Sequence, residues 1–109
     1  MLKFHLDILK EFEPVGKHAK IILFGSLARG DYRLDSDIDL AVITKKKSLM
    51  RLASSTADKI LSEHGKLVSL KFINEEEFDT KKTPFIEEIR RGIVIYEGGK
   101  RQNSNKRRA

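Results

Sequence analysis

The fold of this chain is decided by residues 20–42, which read KIILFGSLARGDYRLDSDIDLAV. The first five residues, Lys20–Phe24, form a short, mostly apolar and β-rich run that predicts a buried strand. Gly25 and Ser26 follow at once, and a strand that ends in glycine and enters a helical turn presents free backbone N–H groups. Such groups favour phosphate, and the Ser26 hydroxyl adds a donor. An ordinary helix cap would use the same residue types.

The second half of the segment carries two carboxylates on one predicted strand. Ile38, Leu40 and Val42 alternate with Asp37 and Asp39, which indicates a strand that enters the core. Residues i and i+2 of a strand share a face, so the two aspartates are expected side by side, where their charges repel. A Mg²⁺ ion held by carboxylates and substrate phosphates would compensate them. The alternative is a pair of solvated aspartates at the start of a strand.

Other phosphate-binding motifs fit the segment less well. Gly25 and Gly30 have the glycine spacing of a P-loop, but Asp31 and Tyr32 follow where lysine and serine or threonine are required. No GxGxxG pattern occurs in the chain, so a dinucleotide-binding fold has no support.

The rest of the pattern predicts the order α-β-α-β-α-β-α-α-β, an α/β (α+β) class with helices packed against a small mixed sheet. The first helix is expected over residues 2–12, ended by Pro14 and Gly16. Ser26 to Arg29 should form one helical turn closed by Gly30. Later elements are expected as a helix capped by Ser48 and stopped by Gly65, a strand over 67–73, a short helix capped by Asn74 with Glu77, a helix opened by Pro84, and a strand over 93–96.

The motif as a whole resembles a known family. Gly25-Ser26, ten residues, and then Asp37-Ile38-Asp39 is similar to the signature of the DNA polymerase β-like nucleotidyltransferase superfamily. Residues 25–30 and 36–40 look like its minimal nucleotidyltransferase branch, and the similarity spans residues 20–42. The resemblance implies the nucleotidyltransferase fold and binding of a nucleoside triphosphate, usually ATP, with Mg²⁺.

The same resemblance implies roles for individual residues. Gly25 and Ser26 would bind the terminal phosphates, while Asp37 and Asp39 would be catalytic residues that coordinate the metal. A nucleotidyl group would pass to a hydroxyl and pyrophosphate would leave. Arg29 flanks the motif and could pair with phosphate, as could Arg33 farther on, although both could equally face solvent.

One position departs from the family pattern. Active members carry a third carboxylate on a neighbouring strand, and the residue that aligns there is Ser69, which is a poor metal ligand and a poor base. No nearby glutamate falls at the matching place in the strand. The alternative is therefore a catalytically weak or inactive module that binds nucleotide or a protein partner.

The resemblance also implies a partner. Minimal members are often paired, as antitoxin with toxin, with a small helical HEPN protein, and a tyrosine of that HEPN ribonuclease is the implied acceptor. At 109 residues the chain suits one small domain without a separate acceptor-binding domain. The three histidines His5, His18 and His64 show no shared spacing and are expected to be surface or interface residues.

Charge and composition limit the remaining classes. The last twelve residues, 98–109, hold five of the 22 basic residues and none of the 16 acidic ones, so residues 1–97 are nearly neutral. We expect a nucleotidyltransferase domain over 1–97 and a basic, disordered tail over 98–109, and nucleic acid could be contacted only through that tail. No apolar run approaches the roughly 20 residues that cross a bilayer, and Asp7, Glu11 and Glu13 interrupt the N-terminal apolar pattern. A cytoplasmic protein without membrane contact is expected.

Overall fold

A computed structural model of the chain describes residues 3–31, 33 and 35–98. The elements, in chain order, are α1 (Lys3–Leu9), a 3-10 turn (Lys10–Phe12), α2 (Glu13–Gly16), β1 (Lys20–Phe24), β2 (Ile38–Ile43), α3 (Lys47–His64), β3 (Val68–Ile73), α4 (Glu75–Thr80), α5 (Pro84–Arg90) and β4 (Ile93–Tyr96). The predicted mixed class is confirmed. Between β1 and β2, residues 25–30 form the expected single helical turn, in which the Arg29 N–H donates to the Gly25 carbonyl and Gly30 closes the turn with positive φ.

The four strands form one sheet in the order β3-β2-β1-β4. β1 runs antiparallel to both β2 and β4, and β2 runs parallel to β3. The parallel pair is connected through α3, as parallel strands require. This order puts β1 and β2, the strands on either side of the glycine turn, at the centre of the sheet.

The helix predicted over residues 2–12 is divided into α1 and the 3-10 turn, and the helical run continues through α2. Gly16 ends this run as predicted, but Pro14 does not, because proline lies in the first turn of α2, where its missing N–H is not needed. The prediction that His5 is a surface residue is wrong: His5 lies in α1 with no exposed surface. Its ring contacts the ring of Phe4 edge to face, with centroids 5.5 Å apart.

The long helix α3 begins two residues earlier than expected and has no side-chain cap. Its N-cap residue is Lys46, and Ser48 lies inside the first turn. Gly65 ends the helix in the left-handed conformation, with φ at 66°, as predicted. Leu49, Ala53, Ala57 and Ile60 are buried, whereas Leu52 and Leu61 are 40% and 46% exposed.

The short helix α4 has the cap that the sequence suggested, and α5 begins at Pro84 as expected, with Thr83 as a cap that was not predicted. The Asn74 side chain accepts a hydrogen bond from the Glu77 backbone N–H at 2.7 Å. Thr83 accepts one from Ile86 at 3.2 Å and so fixes the start of α5 at Pro84.

The sheet has two covered faces of different character. The helical face carries alternate strand residues, among them Leu23, Leu40 and Val68, which form the main core with α1, α2 and α3. The opposite face, called here the site face, carries Phe24 and Ala41 and is covered by α5 through Ile86 and Ile89, with Phe78 of α4 packed beside them.

The segment after β4 packs against the residue that precedes β1. Gly98 lies so near Ala19 that an added Cβ would be 2.6 Å from the Ala19 carbonyl carbon. Residues 99–109 of the predicted tail lie outside the described residues, so its disorder and its contacts stay predictions. In the described ranges, no helix combines the length and the apolar character that crossing a membrane requires.

Candidate functional site

The glycine turn lies directly against one of the two aspartates. β1 ends at Phe24, whose Cα partner on β2 is Asp39. Gly25 follows with φ at +78°, a conformation that side chains rarely adopt. A Cβ on Gly25 would overlap Asp39 Oδ2 and lie 3.1 Å from the Asp39 carboxyl carbon. Glycine is therefore required here both by the backbone conformation and by the space that Asp39 occupies.

The turn after Gly25 presents backbone donors. The Arg29 N–H donates to the Gly25 carbonyl at 3.2 Å, and the Asp31 N–H donates to the Ser26 carbonyl at 3.0 Å. Within the described ranges, the N–H groups of residues 26–28 donate to no other backbone group. Free amides beside a glycine are the donors that phosphate oxygens accept from. The arrangement can bind an anion at Gly25 and Ser26.

The two aspartates lie in a field of mixed charge. Asp39 is half-buried on β2, and Asp37 is exposed one residue before the strand. Burial raises the pKa of the Asp39 carboxyl above its ordinary value, and the negative charges of Asp37 and Glu88 raise it further. Lys71 and Arg29 oppose these effects. Negative charge is in excess here, so a bound cation would stabilise the ionised form of Asp39.

The residues present fit a divalent cation. Hard carboxylate oxygens are the ligands that Mg²⁺ prefers, and Asp37 and Asp39, two residues apart in the chain, supply them. Asp39 Oδ2 lies against Gly25, at the turn where phosphate would bind. Asp37, Asp39 and Gly25 could thus hold a cation between carboxylates and phosphates.

Ser69 lies where the missing third carboxylate was expected. In the parallel pairing of β2 and β3, Ser69 is the Cα partner of Asp39. Val68 is buried in the main core on the helical face, so Ser69 faces the other way, with Lys71 two residues along. The strand beside Asp39 therefore contributes a hydroxyl and an ammonium group to the site face, and no acid.

Arg29 contacts a carboxylate that sequence reasoning missed. Its Nη1 donates to Glu88 Oε2 of α5 at 3.2 Å. The two side chains border a cavity of about 380 Å³ between the glycine turn and α5, which is lined by Phe24, Gly25, Ala28, Arg29, Glu88 and Arg91 among others. The sequence holds only a weak signal for Glu88, which lies between Ile86 and Ile89, two apolar residues at helical spacing. Arg33 instead pairs with Asp31, Nε to Oδ1 at 3.3 Å.

A second group of residues whose side chains could ligate a metal lies among the elements that cover the helical face. One ligand atom from each of Glu11, Glu63 and His64 lies within 4.8 Å of the others. Lys59 already pairs with Glu11 at 3.4 Å, so an ammonium group offsets part of the negative charge. The 3-10 turn brings Glu11 Oε2 to 3.9 Å from His64 Nε2.

Comparison with curated proteins finds two relatives in Methanocaldococcus jannaschii. The first is named "Putative protein adenylyltransferase MJ0141" and is 32% identical over 90 residues, covering 66% of this chain and 91% of the relative. The second, MJ0604, has the same designation and is 36% identical over 66 residues, covering 61% of this chain and 64% of the relative.

A solved structure matches over most of this chain. The crystal structure of a mutant of the toxin–antitoxin complex MntA-HpeT contains a chain that is 18% identical, with a TM-score of 0.47 over 92% of this chain and 75% of that one. A family model, described as the nucleotidyltransferase domain, matches residues 2–94. That match includes the glycine turn, both aspartates and three complete strands, so the chain belongs to the nucleotidyltransferase domain family.

Proposed function

We propose that the chain is a Mg²⁺-dependent nucleotidyltransferase that moves AMP from ATP to a hydroxyl of a partner protein. The observation that carries this proposal is the contact between Gly25 and Asp39, which brings free backbone donors and a carboxylate pair to one point. The family match supports transfer of a nucleotide, and the designation of the two M. jannaschii relatives supports a protein as acceptor.

Each group in the site has a defined task in this reaction. The amides at Gly25 and Ser26 bind the terminal phosphates, and Arg29 adds a positive charge beside them. Asp37 and Asp39 hold the cation, which stabilises negative charge on the phosphate oxygens. The acceptor oxygen forms a bond to the α-phosphorus, the bond from that phosphorus to pyrophosphate breaks, and the hydroxyl proton passes to water.

The acceptor is proposed to be a tyrosine hydroxyl of a small helical HEPN-type protein. This follows from the resemblance to minimal nucleotidyltransferases and stays a prediction. The described part of the chain is one sheet with its covering helices, so a partner must bring its own hydroxyl to the cavity beside Gly25.

Calorimetric titration with ATP tests the nucleotide and cation parts of the proposal. ATP should bind in the presence of Mg²⁺ and much more weakly in EDTA, and Asp37→Asn should weaken only the Mg²⁺-dependent binding. Asp35→Asn is the matched control, since Asp35 is an exposed carboxylate two residues earlier. Equal ATP affinity with and without Mg²⁺ would contradict the proposal.

A second candidate, binding of nucleotide or partner without transfer, is favoured by Ser69. General-base help is typically worth about 10²–10⁴-fold in rate, and serine beside Asp39 supplies none. Single-turnover labelling of the HEPN-type partner with ATP labelled at the α-phosphate separates the two. Slow labelling that Ser69→Asp accelerates identifies an enzyme limited at this position, whereas fast labelling unchanged by Ser69→Asp excludes that limit. No labelling by either variant favours the binding module.

A further inference from the structure

The site as described has one carboxylate fewer than the family pattern implies. Asp37 and Asp39 come from one strand, and the neighbouring strand offers Ser69 beside Asp39. The present inference rests on the proposed function, because it concerns the cation that accompanies the nucleotide. The question is which other group of this chain can reach that cation.

Helix α5 places a glutamate, Glu88, at the cavity beside the glycine turn. Ile86 and Ile89 bury that helix against the site face, with 5% and 0% of their surface exposed. Glu88 comes one residue before the buried Ile89 and keeps part of its side chain exposed. It lines the same cavity as Gly25 and Arg29.

The Glu88 and Asp39 carboxylates both lie beside the glycine turn. Glu88 lines the cavity next to Gly25, and Asp39 Oδ2 lies so near Gly25 that it would overlap an added Cβ. Glu88 Oε2 accepts from Arg29, and among the described residues Oε1 has no hydrogen-bond partner. With 40% of its side chain exposed, Glu88 is free enough to change rotamer at little cost.

We propose that Glu88, rather than residue 69 on β3, supplies the third carboxylate ligand of the nucleotide-bound cation. Binding exchanges ionic partners: the phosphates take Arg29, and the cation takes the Glu88 carboxylate that Arg29 releases. The exchange replaces one exposed ion pair, Arg29–Glu88, by two interactions with the ligand. The glycine turn and α5 are thereby coupled through the ligand and not through Ser69.

The test compares two affinities for a non-hydrolysable ATP analogue, measured by calorimetry with Mg²⁺ and with EDTA. In Glu88→Gln the analogue should bind at least as tightly in EDTA, because Arg29 loses its competing carboxylate. With Mg²⁺ it should bind more weakly, and the ratio of the two affinities should fall by roughly 10–100-fold, the range typical of groups that support a metal site.

Two further variants make the result specific. Glu87→Gln removes the neighbouring carboxylate of α5, which pairs with Arg90, and should leave the ratio unchanged. Adding Ser69→Asp to Glu88→Gln should restore the ratio, because an acid then stands beside Asp39 on β3. Tighter analogue binding in Glu88→Gln under both conditions would overturn the proposal, since Glu88 would then only balance the charge of Arg29.

The outcomes also separate this inference from the proposed function. If Asp39→Asn lowers the ratio and Glu88→Gln does not, the cation site stands and the role of Glu88 is refuted. If wild type itself binds the analogue equally with Mg²⁺ and with EDTA, the cation site and the role of Glu88 are both refuted.

Discussion

Leu40 and Asp39 are neighbours on β2, yet they lie in opposite environments. Leu40 faces α1–α3 on the helical face and has no exposed surface. Asp39 is half-buried on the site face, where the negative charges of Asp37 and Glu88 act on it. The helical face is built for stability, and this end of the site face keeps polar groups that a ligand can bind. The alternation of a strand lets one segment of six residues serve both.

The largest effect is expected on the helical face. Leu40→Ala removes a fully buried side chain from the centre of the sheet and should lower the free energy of unfolding by about 2–5 kcal/mol. Urea denaturation followed by circular dichroism measures it. Leu67→Ala, at a leucine that is 48% exposed, is the control and should change little. A loss at Leu40 no larger than at Leu67 would contradict the distinction between the faces.

Gly25→Ala should damage both stability and ligand binding, by a smaller energy. A non-glycine residue at positive φ costs about 1–2 kcal/mol, and the added methyl group must also displace the Asp39 carboxylate. We expect reduced thermal stability together with loss of Mg²⁺-dependent ATP binding. Gly30→Ala is the matched control, because Gly30 also has positive φ but an added Cβ there meets no atom within 4 Å. It should show the strain without the loss of binding.

Gly25 and Glu88 show which parts of the site the sequence could predict and which it could not. The strands, the turn at Gly25 and the shared face of Asp37 and Asp39 follow from local alternation and spacing, and the structure has the strands and the turn where they were expected. Glu88 lies 49 residues from Asp39 and reaches it only because α5 packs on the site face. No local pattern determines that packing, so the spacing of Ile86 and Ile89 alone could not place Glu88 beside Gly25.

The same limit explains the error at His5. Its neighbours Phe4 and Leu6 are exposed, so a helical pattern based on leucines assigned the buried face incorrectly. The structure buries His5 because α1 and the segment after α3 lie together, with Lys66 close enough to act on its ring. His5 is thus a buried polar side chain in α1, on the helical face, and it is an exception to the contrast between the two faces.

The burial of His5 predicts a pH dependence. Burial lowers the pKa of the imidazole below its ordinary value, and the positive charge of Lys66 lowers it further. Because the unfolded state then takes up the proton more readily, this contribution to stability is complete above about pH 6.5 and is lost as the pH falls toward the lowered pKa. The slope can reach at most about 1.4 kcal/mol per pH unit.

The measurement is the urea midpoint of wild type and His5→Leu at pH 7.5 and 5.5. The variant should lose less stability than wild type on acidification, while His18→Gln, at an exposed histidine, should behave like wild type. An equal loss in wild type and His5→Leu would mean that His5 is protonated in the folded state.

The smallest effect is expected at Asp39 and has the opposite sign. Burial and the charges of Asp37 and Glu88 disfavour the ionised carboxylate, so Asp39→Asn should stabilise the ligand-free domain at neutral pH. Because Asp39 keeps partial contact with solvent and Lys71 and Arg29 offset some repulsion, the gain should stay below about 1 kcal/mol. Thermal melting without ligand measures it, and a second melt with ATP and Mg²⁺ should show that the variant has lost the stabilisation that wild type gains from the ligand. Asp35→Asn removes an exposed carboxylate from the preceding loop and should change neither melt. If Asp39→Asn destabilises the ligand-free domain, the Asp39 carboxylate stabilises the turn, and burial and charge repulsion at the site face do not lower stability.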